Sequence, residues 1–93
     1  MKGLVKGDMY SCFNILFECL EMVKPEKTYK SYSPNLHILV LNNLATSYKF
    51  VGRNNKAYLH LTEAAKILYQ YKVEDMAAMT NINLCSITSK MGL

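Results

Sequence analysis

The stretch that decides the fold is Leu41-Asn42-Asn43-Leu44-Ala45-Thr46-Ser47-Tyr48, and Gly52, Ala57, Leu61 and Ala64 follow it. Its apolar residues are spaced three and four apart, which places them on one face of a helix. The small residues that follow allow a second helix to approach the first closely. A helical hairpin of this kind cannot bury its apolar face alone, so the pattern predicts a stacked array of hairpins.

Four helices are predicted along the chain by the same 3.6-residue periodicity. The first spans about residues 9–23, with Asp8 as its N-cap and Pro25 beyond its end. The second spans about 35–51 and ends at Gly52. No alternating strand pattern competes with this all-α prediction.

The remaining two helices follow after short turns. Asn54 or Asn55 is expected to cap the third helix, which continues to about Tyr71. The fourth begins near Glu74 or Asp75, which are favourable at the positive end of a helix dipole, and Gly92 closes it. The turn between the second and third helices is short, so these two must be antiparallel neighbours.

Composition limits the class of protein. The 93 residues suffice for one small domain, and 51% are apolar, which excludes long disorder. A net charge of +4 is too small to indicate nucleic-acid binding by itself. The longest strongly apolar run, residues 38–41, is far too short to span a bilayer, and the N-terminal region lacks a signal-peptide pattern. We therefore expect no membrane insertion and a cytoplasmic location.

Self-comparison reveals an internal repeat. A shift of 45 residues superimposes the first helix on the third, so that Leu16 meets Leu61. A shift of 40 superimposes the second helix on the fourth, so that Asn43 meets Asn83. Under these shifts each cysteine meets an alanine, and free cysteine behaves as a small buried hydrophobe. We therefore predict packing roles for all three cysteines, which pair as Cys12 with Ala57, Cys19 with Ala64 and Cys85 with Ala45.

These residues resemble the tetratricopeptide repeat. The sequence motif Leu-Asn-Asn-Leu-Ala, together with the long period of the internal repeat, is similar to the kinesin-light-chain type of that repeat. The resemblance implies antiparallel helix-turn-helix repeats stacked as a right-handed solenoid. Residues 7–34 would be the second helix of a repeat with its connection, 35–71 one complete repeat, and 74–92 the first helix of the next. On this interpretation the chain is a segment of a longer array. Leu41, Tyr69 and Thr88 depart from the family pattern.

The resemblance also implies a function, because tetratricopeptide arrays bind peptides in a concave groove lined by first helices. That groove would bind a peptide or a neighbouring subunit within a larger complex, and Asn43 and Asn83 would pair with a peptide backbone. The alternative is that these asparagines cap local backbone or face water. The groove residues expected from the second and fourth helices are Leu39, Asn42, Asn43, Thr46, Lys49, Phe50, Met79, Ile82, Asn83, Ser86 and Lys90.

No catalytic, cofactor-binding or metal-ligating pattern is present. His37 and His60 are 23 residues apart, and no zinc, phosphate-loop or nucleophile motif accompanies them. No set of residues in the sequence therefore supports the interpretation as a small helical enzyme subunit. A non-enzymatic scaffold for protein or peptide partners is the leading interpretation. The resemblance to the kinesin-light-chain type suggests a cytoskeletal or ciliary location.

An RNA-binding helical repeat of the pentatricopeptide kind is the alternative function. The mild positive charge and Asn43-Leu44 would suit it. The period of 40 to 45 residues is longer than the roughly 35 expected there, and Arg53 is the only arginine. RNA recognition favours arginine and stacked aromatic residues, so binding to nucleic acid is not expected.

Overall fold

A computed structural model describes residues 2–25 and 31–92, with side chains from Ser11 onward. Within these residues the regular structure is helical and no strand occurs. The predicted all-α class is thus confirmed. The helices are α1 (Lys2–Val23), α2 (Pro34–Phe50), α3 (Asn54–Tyr71) and α4 (Ala77–Met91), and a 3-10 turn at Glu74–Met76 precedes α4.

The centre of the molecule is the hairpin formed by α2 and α3. Ala57 and Ala64 of α3 have no exposed surface, and Ala45 of α2 is almost fully buried. Ala45 packs in one cluster with Ala57, while Ala64 packs near the other end of α2 with Ile38 and Leu41. Contacts that run in opposite directions along the two helices make them antiparallel. The predicted burial of these alanines is confirmed.

Helices α1 and α4 pack on opposite sides of this hairpin. Leu16 of α1 lies against the buried Val40 and Leu44 of α2. Ile87 of α4 is fully buried in the cluster that contains Leu61 of α3. Helix α4 also touches α2 directly, so each helix contacts its neighbour in the chain and α2 contacts the helix two places further on.

A cluster of aromatic rings joins α1 to the hairpin. The rings of Phe13 and Tyr48 have centroids 4.8 Å apart, and Tyr48 stacks on His60 of α3 at 5.3 Å. Phe17 lies 6.4 Å from the ring of His60. Offset and tilted ring pairs at these distances are favourable. The cluster therefore brings α1, α2 and α3 together at one end of the hairpin.

The predicted start of the first helix is wrong. Helix α1 begins at Lys2, so Asp8 lies inside it and does not cap it. The glycines Gly3 and Gly7 lower helix propensity by roughly 1 kcal/mol each without interrupting the backbone hydrogen bonds. Neither Gly nor Asp therefore marks a boundary in this segment. Residues 26–30 of the predicted polar connection lie outside the described residues.

The N-termini of α2 and α3 are capped in different ways. The hydroxyl of Ser33 accepts a hydrogen bond from the Leu36 N–H at 3.2 Å and so caps α2, with a proline in the first turn. Asn54 is the first residue of α3, whose N-cap, Arg53, makes no side-chain cap bond. The prediction that Asn54 or Asn55 caps α3 is therefore wrong.

The helix C-termini use left-handed backbone, as expected for the two glycines. Gly52 has φ of 83° after α2, and Gly92 has φ of 78° after α4. Lys72 ends α3 with φ of 54°, a conformation that the sequence did not indicate because lysine rarely adopts it.

The prediction of buried cysteines is wrong for two of the three. Cys12 and Cys85 are exposed, and Cys19 is partly buried beside Leu44. Their alanine counterparts lie between packed helices of the central hairpin. Cys12 and Cys85 lie on faces of α1 and α4 that no other described helix covers.

Candidate protein-interaction face

Helices α2 and α4 lie side by side and are joined by a buried amide. The Nδ2 atom of Asn42, a residue that is 1% exposed, donates to Thr80 Oγ1 at 3.0 Å and to the Ile38 carbonyl at 3.0 Å. Its Oδ1 accepts from Asn83 Nδ2 at 2.7 Å. Lys49 Nζ donates to Ser86 Oγ further along. The bonded pairs advance together along both helices, so α2 and α4 run parallel.

This network changes the predicted site. Asn42 is not an exposed groove residue, because it is buried and makes two hydrogen bonds to α4. Asn83 is half-buried and its amide donates to Asn42, whereas Asn43 is exposed. The two asparagines that recur at 40 residues therefore have different environments and do not form an equivalent pair. Lys49 and Ser86 are also hydrogen-bonded to each other.

The other predicted residues share one outward face of α2 and α4, on the side away from α3. Leu39 is partly buried, and Asn43, Thr46 and Phe50 are exposed. Phe50 is 75% exposed. From α4 the face receives Met79, Ile82, Ser86 and Lys90, of which Ile82 is 67% exposed. We call these eight residues, with the half-buried Asn83 and Lys49 between the two helices, the α2–α4 face.

The charge of the α2–α4 face is positive. Neither Pro34–Phe50 nor Ala77–Met91 contains an aspartate or glutamate. Lys49 and Lys90 each lie in the last turn of their helix. Lysines at this position are also favoured by the helix dipole. An acidic partner would meet no carboxylate on either helix.

A small cavity lies beneath the face, between α2, α3 and α4. It measures about 60 Å³ and is lined by the buried Ala45, Ala57, Leu61 and Ile87 together with polar atoms of the face. Pockets that hold small-molecule ligands are typically about 300–1,000 Å³. The cavity can accommodate water molecules and is much smaller than such a pocket.

The two histidines have structural surroundings. His37 is buried and its Nδ1 is 2.7 Å from the hydroxyl of Tyr32. His60 Nδ1 lies 2.9 Å from the Lys56 carbonyl, and its ring stacks on Tyr48. Among residues 2–25 and 31–92, no group of three or more histidine, cysteine, aspartate or glutamate side chains could hold a metal ion.

Comparison with models of known protein families, with curated proteins and with solved structures gives no match for this chain. The tetratricopeptide resemblance therefore stays an expectation drawn from the residues quoted above. In the described part of the chain, no helix combines the length and the apolar character needed to cross a bilayer.

A second exposed apolar surface lies on α1. Ile15 is 58% exposed and Met22 is 67% exposed, although both belong to an apolar stretch that predicts a packed helix face. The repeat alignment shows which residues of the central hairpin correspond to these two. It superimposes Ile15 on His60 and Met22 on the buried Ile67, and both of those contact neighbouring helices.

Proposed function

We propose that this chain is a non-enzymatic protein-interaction scaffold, a tetratricopeptide-like segment that binds an extended peptide or a neighbouring subunit on the α2–α4 face. The observation that carries the proposal is the exposure of Phe50 and Ile82 on a face where the two parallel helices lie side by side. A protein–protein contact places such side chains in its buried centre, where aromatic residues contribute most.

The arrangement of the helices supports the family assignment within this proposal. Two first helices, α2 and α4, lie parallel, and α3 runs antiparallel behind them, as a tetratricopeptide solenoid requires. Asn42 donates a hydrogen bond to Thr80 and accepts one from Asn83, and these two bonds hold α2 and α4 side by side. A right-handed solenoid with its groove along α2 and α4 is the architecture we propose.

The chemistry of the face defines the partner. Apolar side chains of the peptide would pack on Phe50 and Leu39, while the exposed amide of Asn43 can both donate to and accept from its backbone. The absence of carboxylates on both helices, with Lys90 exposed, favours acidic residues beside the apolar ones. Such a complex would be cytoplasmic and part of a larger assembly.

Peptides selected on the protein itself test the proposal. A random dodecapeptide library displayed on phage would be panned on the full chain, and enriched peptides would be measured by calorimetry. We expect Phe50→Ser to weaken their binding at least tenfold. The matched control is Tyr69→Ser, which removes an exposed ring from α3 outside the face and should leave the affinity unchanged.

Two results would overturn this function. Peptides that bind Phe50→Ser as well as the parent would show that the α2–α4 face is not the site. Single-stranded RNA of 20 nucleotides would be titrated in parallel at two salt concentrations. Tighter binding to RNA than to any selected peptide, with strong salt dependence, would favour the RNA-binding alternative.

A further inference from the structure

Two helix faces remain uncovered in the described chain, and they are complementary. The first, on α1, consists of Cys12, Ile15, Cys19 and Met22, all but Cys19 exposed. The second, on α4, consists of Ala78, Asn81, Cys85 and Thr88, all but Thr88 exposed. Both sets repeat at intervals of three, four and three residues, the spacing of a helix-packing stripe.

The internal repeat shows what each face fits. A shift of 45 residues carries the α1 face onto Ala57, His60, Ala64 and Ile67 of α3. A shift of 40 carries the α4 face onto Ile38, Leu41, Ala45 and Tyr48 of α2. These two target sets are the surfaces that α2 and α3 pack against each other in the central hairpin. The α1 face therefore corresponds to the second helix of a hairpin, and the α4 face corresponds to the first helix that such a second helix packs against.

We propose that the chain self-associates head to tail, with α4 of one copy and α1 of the next forming a composite hairpin equivalent to α2–α3. Within one copy this pairing is impossible, because α2 and α3 lie between α1 and α4. The composite hairpin does not include Phe50, so self-association and peptide binding on the α2–α4 face are separate properties of the chain.

A concavity on α3 marks where the incoming α1 would rest. It is open, measures about 460 Å³, and is lined by Thr62, Ala65, Lys66, Tyr69 and Gln70. Within one copy, α1 reaches α3 through the ring pair Phe17–His60. In the repeat alignment Phe17 corresponds to Thr62, and His60 corresponds to Ile15 of the next copy. The equivalent pair across the joint is therefore Thr62 with Ile15 of the next copy, inside this concavity. Ile15, which is 58% exposed in one copy, would thus pack against the neighbouring copy.

The composite hairpin also accounts for the exposed cysteines. Ala45 and Ala57 pack in the same buried cluster of the central hairpin. Their counterparts are Cys85 of one copy and Cys12 of the next, so these thiols meet at the joint. Asn81, which replaces the buried Leu41, makes the joint less apolar than the central hairpin. The association is therefore reversible and rises with concentration.

A contact between two different faces has a specific consequence. Heterologous head-to-tail pairing leaves a free α1 face and a free α4 face at the ends, so it generates open chains or rings. A symmetric dimer would instead pair identical faces. The two cases are distinguished by which cysteines can be linked.

Cross-linking tests the joint directly. Under reducing conditions that prevent disulfides, the Cys19→Ala variant would be desalted and treated with a short bis-maleimide, in which each maleimide alkylates one thiol. We expect a ladder of dimers, trimers and larger species on a denaturing gel. Removing either remaining cysteine, as Cys12→Ala or Cys85→Ala in the same background, should abolish the ladder.

Sedimentation of unlinked protein supplies the second measurement. The average mass of the parent should rise with concentration above 10.6 kDa, the mass of one chain. Ile15→Glu should weaken association at least tenfold while leaving the helical content unchanged. Phe50→Glu is the matched control, because Phe50 is 75% exposed on α2, outside the composite hairpin, and the change should leave association intact.

Three outcomes would overturn the proposal. They are a monomer at every concentration, dimers that form through Cys85 alone, and an equal loss of association in Phe50→Glu. The first would leave both faces for other partners. The second would indicate a symmetric contact, and the third would indicate non-specific adhesion between exposed apolar residues.

Discussion

Replacing Asn42 by alanine should detach α4 from α2. The change removes two hydrogen bonds between the helices, those to Thr80 and from Asn83. Each bond contributes about 1 kcal/mol net, and a buried polar group left without a partner costs about 1–3 kcal/mol. Thr80 has no exposed surface, so its hydroxyl cannot turn to bulk solvent. Together with the lost packing, Asn42→Ala should lower the free energy of unfolding by about 2–4 kcal/mol.

The neighbouring asparagine is the matched control. Asn43 is on the same helix and has the same side chain, but it is exposed. Asn43→Ala should therefore change the free energy of unfolding by less than about 0.5 kcal/mol. Urea denaturation followed by circular dichroism measures both variants, at a concentration where the chain is monomeric. An unfolding free energy of Asn42→Ala equal to that of Asn43→Ala would refute the role assigned to the buried amide.

A double-mutant cycle isolates the Asn42–Thr80 bond. Its Thr80→Val variant also tests this bond on its own if Asn42→Ala does not fold. Thr80→Val replaces the hydroxyl by a methyl group of similar shape and should cost about 1 kcal/mol, since Asn42 keeps its bonds to Ile38 and Asn83. The loss in the double variant should be smaller than the sum of the single losses by about 1 kcal/mol. Strict additivity would show that the two side chains do not interact.

Three further predictions concern the hairpin and its caps. Ala57→Leu should overpack the α2–α3 contact and cost about 1–3 kcal/mol, whereas an unchanged melting temperature would contradict the packing assigned to this alanine. Lys72→Gly should stabilise the chain by up to about 1 kcal/mol by relieving the left-handed backbone, while Lys72→Ala, which keeps that strain, should give no gain in the same thermal melt. Ser33→Ala should cost about 0.5–2 kcal/mol through loss of the cap on α2, and Ser33→Asp should restore most of it in urea denaturation.

The central hairpin was predictable because its signals are local. The spacing of Leu41, Leu44 and Tyr48 identifies one face of α2, and alanines at fixed intervals identify the close contact with α3. Neither signal depends on the rest of the molecule. Both the helix identities and the burial of Ala57 and Ala64 followed from them.

The direction of Asn42 was not predictable by the same reasoning. Adjacent residues on a helix point about 100° apart, so one of Asn42 and Asn43 can face a neighbour while the other faces outward. Only the position of α4 decides which one is buried, and that position depends on contacts almost 40 residues away. The cysteines show the same dependence: Cys12 and Cys85 are small enough to be buried, but no other described helix covers them.

The aromatic cluster at the end of the hairpin has a consequence for how the chain opens. Helix α1 is held against α2 by Leu16 and its neighbours and by the rings of Phe13 and Phe17, whereas α2 is enclosed by three helices. Local stability in stacked helices follows the number of neighbours, so α1 can separate while α2 and α3 stay together. Amide protons of α1 should then exchange with solvent much faster than those of α2 around Leu41. Because the chain has no tryptophan, its seven tyrosines dominate the near-ultraviolet signal, and loss of the Phe13–Tyr48 contact should change the contribution of Tyr48.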